Sequence, residues 1–316
     1  MRVFLTGVSG HVGSMLARHL SGIPEIEGIT GVDVAEPRAP LPGKVTFAKI
    51  DIRSSRIGEV MRGHDVVAHT AFIVQWTARM SEAERRDVNL NGLDNLLKAA
   101  VTNKVGRFVH ASSVAAYDED RIRGRDLVTE ETAISTGKSR FYYSNDKAQA
   151  ERLLTDRLAG SGTTATILRP TYVIGPSNPG TVEYLRRMRD QHFGAVHYHG
   201  HNPRLQLVHE DDAAAAFALA VGRDLPGAYN VAPDGSLRWR QALKALGRMS
   251  APTVPLSVVR LWANLAWRLF RSPMHPVWVD VGLVDATFDN AKLKAAGWTP
   301  RYDTAAAIRA TLPAGG

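Results

Sequence analysis

The sequence predicts an α/β fold, a doubly wound parallel sheet continued by a smaller, discontinuous and mostly helical C-terminal part. Three observations carry this. Short apolar runs of strand character alternate with longer helical stretches through the first half of the chain. The first run passes directly into a glycine-rich turn, TGVSGHVG at residues 6–13. After Gly175-Pro176 the rhythm changes and helical patterns come to dominate.

The elements follow in order. VFLTG (3–7), ITGVDV (29–34), DVVAHTA (65–71), RFVHASS (107–113) and TATILRP (164–170) are β-branched or continuously apolar, as strands buried on both faces must be. Helical stretches lie between them near 12–20, 54–62, 81–101 and 143–159. Right-handed crossovers then make a doubly wound sheet the economical topology. Further on, TVEYLRRMRD (181–190) reads as helix, LQLVH (205–209) as strand, DDAAAAFALAV (211–221) as helix and GAYNVA (227–232) as strand. From Trp239 the chain is mostly helical. Residues 1–175, with about 205–235, are expected to form the nucleotide-binding domain, and 176–204 with 236–316 the substrate domain.

A chain of 316 residues, 44% hydrophobic, can bury a large core. It has no cysteine, which excludes disulfides and thiolate chemistry. The opening RVFLTG lacks the cationic region, apolar length and cleavage site of a secretory leader, so a cytoplasmic location is expected. The net charge of +8, from 39 Lys and Arg against 31 Asp and Glu, favours anionic partners such as phosphorylated cofactors or anionic lipid. Only short basic clusters occur, RIRGR (121–125) and RRMRD (186–190), so no nucleic-acid partner is expected.

Gly7, Gly10 and Gly13 follow a strand and open a helix. In that context the backbone can approach a pyrophosphate at the helix N-terminus, where N–H groups and the helix dipole hold the anion. This predicts a Rossmann-type dinucleotide site. Asp33 ends the second strand twenty residues past Gly13. An acidic residue there accepts hydrogen bonds from both adenosine ribose hydroxyls and repels a 2′-phosphate, which favours NAD over NADP. Arg38 could soften that preference.

The fourth strand ends in Ser112 and Ser113, on the sheet edge that faces the ligand crevice. Tyr143 and Lys147 are four apart on a predicted helix and share a face. Tyr142 is five from Lys147, about 140° round the helix. The lysine can therefore serve Tyr143, whose phenol pKa a nearby cation should lower. Tyr143 would then exchange a proton with a substrate oxygen as hydride moves to or from the carbon.

With these residues in place, the sequence resembles an extended short-chain dehydrogenase/reductase of the NAD-dependent epimerase/dehydratase group. The matching segments span nearly the whole chain: TGVSGHVG, GVDV (31–34), KIDIRS (49–54), DVVAHTAF (65–72), VNLNGLDNLL (88–97), FVHASSVAAY (108–117), YYSNDKAQAE (142–151), LRPTYVIGP (168–176), LVHEDDAA (207–214) and GAYNVA. The resemblance implies that Ser113, Tyr143 and Lys147 are catalytic, with Lys147 also reaching the nicotinamide ribose. It places His11 and Val12 at the pyrophosphate and Asp51 and Ile52 at the adenine. Thr70, Ala71 and Phe72 fall beside the cofactor ribose, Asn89 near the active site and Val173 at the nicotinamide carboxamide. Three positions depart from the family pattern: His-Thr-Ala-Phe (69–72) for His-Leu-Ala-Ala, Tyr117-Asp118 for Tyr-Gly, and Ile174 where an aromatic is common. They bear on the substrate, not on the chemistry.

The family implies two outcomes. In a nucleotide-sugar epimerase or dehydratase the hydride returns to the same substrate. In an alcohol or 3β-hydroxysteroid-type dehydrogenase the product leaves. The sequence slightly favours the first. A non-catalytic NAD-sensing protein on the same fold is the reading from another class, and the intact Ser113/Tyr143/Lys147 set argues against it. Helices 81–101 and 143–159 could form the homodimer bundle common in the family.

Three further features stay open. His197, His199 and His201 alternate within HFGAVHYHGH (192–201) and could bind zinc, line a substrate loop or lie on the surface. The family needs no metal, and none is expected. PLSVVRLWANLAWRLFR (255–271) is an apolar helix with a stripe of Arg260, Asn264, Arg268 and Arg271, too short and too charged to span a membrane. It suits packing on the substrate domain, peripheral lipid contact or a lid over an apolar substrate. Asp211-Asp212 suits helix capping better than a paired-carboxylate site.

Overall fold

The computed structural model describes residues 1–74, 80–192, 194–270 and 275–312. Its centre is a seven-stranded, all-parallel sheet. The chain lays down β1 (Arg2–Thr6), α1 (His11–Ser21), β2 (Gly28–Asp33), β3 (Val45–Lys49), α2 (Ile57–Met61) and β4 (Val66–His69). Next come α3 (Glu82–Arg86), a π-helical turn (Asp87–Asn91), α4 (Gly92–Thr102), β5 (Arg107–Ala111), α5 (Glu119–Ile122), α6 (Tyr142–Leu158) and β6 (Thr164–Pro170). After β7 (Tyr172–Ile174), α7 (Pro179–Asp190), β8 (His197–Tyr198), β9 (Arg204–Leu205), β10 (Leu207–His209) and α8 (Glu210–Gly222), β11 (Gly227–Val231) completes the sheet. The order is β11-β6-β5-β4-β1-β2-β3. It reverses direction at β1, which opens a crevice between β1 and β4 at the C-terminal edge.

Each face of the sheet carries its own core. Val3, Leu5 and Leu168 point to the side covered by α1 and α8, and Phe4, Val67, Phe108 and Ile167 to the side covered by α2, α4 and α6. The alanines of α8 are small enough to let it lie close against α1.

The strands expected in the main sheet are present, and that sheet holds one more that was not anticipated, while the strand expected over 205–209 is split into β9 and β10. VTFAK (β3) is the outermost strand, half exposed along its length, so it never shows the continuous apolar run of a buried strand. The helix expected over 81–101 is present and runs without interruption from Glu82 to Thr102, with the π-helical turn at 87–91 set between α3 and α4.

The remaining elements are β12 (Leu237–Arg238), α9 (Trp239–Ala245), β13 (Thr253–Val254), α10 (Leu256–Phe270), α11 (Val277–Val281), α12 (Ala291–Ala295) and α13 (Thr304–Thr311). Leu185, Met188, Leu243, Leu246 and Ile308 give α7, α9 and α13 a separate core. Leu293 and Trp298, by contrast, pack into the core of the main sheet. β8 pairs with β13, so the His197–His201 stretch starts as an extended ladder strand. Arg271 of the expected arginine stripe lies outside the described residues.

Asp212 is not the cap of α8, as its sequence position suggested. His209 is the capping residue, its Nδ1 accepting from the Asp211 N–H. The buried Asp212 carboxylate instead accepts the backbone N–H groups of Arg301 and Tyr302, each at 3.0 Å. Trp298 Nε1 donates to the Asp212 carbonyl at 2.9 Å. Replacing Asp212 by Ala strands two donors inside the protein, and should cost about 3 kcal/mol in urea unfolding. A loss below about 0.5 kcal/mol would show that the C-terminal segment is held by its apolar contacts alone.

Candidate active site

The turn after β1 is shaped by what a side chain would hit. Gly7 has φ +75°, and a Cβ there would lie 2.6 Å from the Ala71 nitrogen. A Cβ on Gly13 would collide with the Gly7 carbonyl, and one on Gly31 would press into Val8 at 2.8 Å. Gly10 is freer, its nearest neighbour being the Gly7 oxygen at 3.2 Å. It stands at the N-cap of α1 with no side-chain cap, and the first turn holds no acidic residue. The first N–H groups of α1 are thus left for an external anion. This cradle fits the pyrophosphate of a dinucleotide.

Other expected cofactor residues surround the same crevice. Asp33 accepts from the Ser9 and Ala35 N–H groups, both at 3.1 Å, which fixes its carboxylate at the rim of the turn. Thr70 Oγ1 donates to the Thr6 carbonyl at 2.6 Å, and Ala71 N–H points to Thr6 Oγ1 at 3.4 Å. His11 Nε2 meets the Glu210 carboxylate at 2.8 Å, and Ser177 Oγ donates to the same carboxylate at 2.6 Å. The glycine turn is thereby latched to the 175–178 loop. Val12 packs against the α1-side core, as does Val173, whose strand pairs in parallel with β10.

Two of the expected cofactor contacts have other partners. The Asp51 carboxylate is gripped by Arg53, with Nη2 at 2.6 Å, and Arg53 also reaches Asp87 at 2.7 Å. Hydrogen bonding from Arg53 holds Asp51 below its ordinary pKa. Ile52 is buried against Gly92. Asn89 spends its amide on the backbone of Ile73, accepting from N–H at 2.8 Å and donating to the carbonyl at 3.1 Å. It shapes the loop after β4, and does so from the π-helical turn.

The catalytic candidates do come together. Ser113 follows β5, its Oγ accepting from the Ala115 N–H at 3.1 Å, and it lies near enough to the Tyr143 phenol to lower its pKa. Tyr143 and Lys147 lie on the buried face of α6. Ser112 is otherwise engaged: its Oγ donates to Glu151 at 2.5 Å. Tyr142 points away, its hydroxyl donating to the Val74 carbonyl at 3.1 Å while Arg85 stacks over its ring at 4.7 Å.

The electrostatics differ from the expectation. Lys147 gives its hydrogen bond to backbone, not to the phenol. Its Nζ donates to the Ala111 carbonyl at 2.6 Å and sits 3.5 Å over the Phe72 ring, 5.7 Å from the centre of Tyr143. Burial lowers Lys147 to about 7, with the Glu151 charge opposing. Burial also pushes Tyr143 up to about 12, with Ser113 opposing. In this state desolvation dominates, and the phenol stays protonated at neutral pH.

Sequence reasoning missed the support behind the site. Glu151 stands eight residues after Tyr143 and continues the Tyr143–Lys147 face, a spacing that could have revealed it. It pairs with Arg169 Nη2 at 2.6 Å, inside the protein. Arg169 stacks over Tyr117, whose hydroxyl donates to Asn230 at 2.7 Å. The other omission is Trp278. No local pattern announces that its ring lies 4.9 Å from Phe141 and 6.1 Å from Tyr143. With Phe72, edge-on to Tyr143 at 5.8 Å, these rings wall the phenol in apolar surface.

Residues 3–232 match the model of the NAD dependent epimerase/dehydratase family. A ketoreductase of Stigmatella aurantiaca, acting on 4-hydroxy-2-methyl-3-oxo-4-farnesyl-3,4-dihydroquinoline-1-oxide, is 29% identical over 86% of this chain and 81% of its own. A vaccinia virus 3 beta-hydroxysteroid dehydrogenase/Delta 5-->4-isomerase is 23% identical over 97% and 96%. Among solved structures, UDP-glucose 4-epimerase of Thermotoga maritima with UDP-glucose aligns with TM-score 0.76 at 20% identity, covering 98% of this chain and 97% of that one. The Bacillus cereus UDP-glucuronic acid 4-epimerase in complex with NAD gives 0.76 at 17%, with the same coverage. With the family model spanning the dinucleotide crevice and the Ser113–Tyr143–Lys147 corner alike, the chain belongs to the NAD-dependent epimerase/dehydratase family.

Proposed function

We propose that the chain transfers hydride between NAD and a carbinol carbon, with Tyr143 as acid/base, Ser113 orienting the substrate oxygen and Lys147 setting the local charge. The observation that carries this is the placement of Tyr143 and Lys147 one turn apart on the buried face of α6, with Ser113 just past β5 close enough to act on the phenol. Bound NAD would supply the hydride acceptor. Gly7, Gly10, His11, Val12 and Gly13 would hold its pyrophosphate and Asp33 its adenosine ribose. Asp51, Ile52, Thr70, Ala71, Phe72 and Val173 would line the rest, with Asn89 holding the loop beside them. Asp33 supports NAD over NADP by repelling a 2′-phosphate.

For the substrate, two observations favour an apolar alcohol or ketone. Phe72, Phe141 and Trp278 crowd the reacting phenol with aromatic surface. Arg204, which stands five residues before His209 and loosely matches the arginine that binds a sugar-nucleotide diphosphate in the family the sequence resembles, is committed elsewhere. Its Nε donates to Asp285 at 2.7 Å, its Nη1 pairs with Asp126, and it is 14% exposed. Two carboxylates neutralise it, so it has little left to offer a diphosphate. A nucleotide-sugar epimerase would use the same three catalytic residues and differ only in returning the hydride. A small-molecule substrate is common to both readings.

Tyr143→Phe should lower turnover by roughly 10²–10⁴-fold while NAD binding survives. Unchanged turnover would sink the mechanism, and loss of NAD binding would assign Tyr143 a structural role. The pH profile has a definite sign. A phenol held near 12 is protonated at neutral pH, so its base form grows about tenfold per pH unit on the alkaline side. Alcohol oxidation should accelerate as pH rises above neutrality, and ketone reduction should not; an oxidation rate that falls over that range contradicts a phenol base. In a thermal-shift panel with NAD present, a steroid-like secondary alcohol should raise the melting temperature more than a UDP-sugar. The reverse order would select the epimerase.

A further inference from the structure

His11 ties together the starts of three helices. It is the first residue of α1, so its own N–H belongs to the group left open for an anion. Its Nε2 meets Glu210, the first residue of α8, at 2.8 Å. Its Nδ1 meets the amide nitrogen of Asn178, the N-cap of α7, at 3.3 Å. The neighbouring bonds fix which atoms donate. Asn178 Oδ1 already accepts the Thr181 N–H at 3.2 Å, so its amide N–H faces His11 and donates. His11 Nδ1 therefore carries the lone pair, and Nε2 donates to Glu210.

Glu210 is held for this contact. Its carboxylate is buried, and no lysine or arginine pairs with it among the described residues. Beside His11, its partners are the Ser177 hydroxyl at 2.6 Å and the Ser177 N–H at 3.1 Å. The start of α8 adds a dipole that favours an anion. Gly175 makes room for it, since a Cβ there would lie 2.1 Å from the Glu210 carboxyl carbon. Losing one donor would leave a buried carboxylate short of a partner, so the contact resists opening. It also joins two cores. α1 and α8 pack into the core of the main sheet, whereas Leu185 and Met188 carry α7 into the separate C-terminal core. A movement of the glycine turn is thus felt at the first helix of the substrate part.

We propose that His11 is a positioning residue that couples the cofactor to the substrate part: through Glu210 and Asn178 it makes the filling of the glycine turn and the seating of α7 one event. This rests on the reading that the turn binds the pyrophosphate of NAD. An anion drawn to the first N–H groups of α1 fixes the His11 backbone, and a fixed His11 holds Ser177 and Asn178 at the start of α7. Linkage makes the effect reciprocal, so a substrate that steadies α7 also tightens NAD.

The test is hydrogen exchange of the full chain with and without saturating NAD, beside calorimetric titration with NAD and with ADP-ribose. In the wild type, NAD should slow exchange in α7 as well as in the glycine turn. His11→Phe keeps a ring and loses both bonds. It should weaken NAD and ADP-ribose alike, about tenfold, and at saturating NAD it should protect the turn but not α7. Asn178→Ser keeps a capping hydroxyl for Thr181 and removes only the branch to α7. It too should lose the α7 protection, with the melting temperature of the free protein close to that of the wild type. If the wild type binds no NAD, the cofactor reading fails and the coupling falls with it. If the wild type binds NAD without protecting α7, the coupling alone is overturned. The same holds if both variants keep the α7 protection at saturation, which would leave His11 a purely local structural residue.

Discussion

Glu151 is buried, and three elements meet on it. Its carboxylate takes the Ser112 hydroxyl at the end of β5, the Arg169 guanidinium from β6, and lies on α6 itself. A buried carboxylate is tolerable only when paired and hydrogen-bonded, and here every partner comes from a different element. The bond to Ser112 settles which of two adjacent serines is structural, and leaves Ser113 to face Tyr143. The pairing with Arg169 sets the rotation of α6 against the sheet, which in turn carries Tyr143 and Lys147 to the C-terminal edge. Removing either partner would leave a charge in the interior, so the geometry of the catalytic corner is tied to the survival of the fold.

The cofactor side rests on a steric condition instead of a charge. Gly7 and Gly13 are placed where a methyl group would strike backbone, and backbone cannot step aside as a side chain can. The close approach of β1, the α1 turn and the Ala71 loop depends on that empty volume. His11, Glu210 and Ser177 then fasten the turn to the far side of the crevice. Part of the chain distant in sequence thus fixes a loop that local sequence alone would leave free.

The C-terminal elements act on the site through rings. Trp278 closes over Tyr143 and Phe141, and α10 leans on the same group through His275. Enclosure of this kind desolvates the site, which raises the phenol and lowers the lysine in the free protein. The same apolar surroundings, with Arg204 locked between Asp126 and Asp285, shift the balance of substrate readings toward apolar molecules.

The sequence by itself determined the sheet, the glycine turn and the shared helix face of Tyr143 and Lys147. Each is a local matter: apolar runs, a Gly spacing and an interval of four residues on a helix leave direct traces in sequence. It did not reveal β3, an edge strand whose half-exposed residues blur the apolar signal, nor the π-helical turn inside the helix expected over 81–101. Tertiary structure alone decided what the charges do. Whether Lys147 bonds the Ala111 carbonyl, whether Arg204 is free or paired, and whether Trp278 reaches the phenol depend on residues tens to more than a hundred positions away. Desolvation is a property of the packed interior, and no spacing along the chain records it.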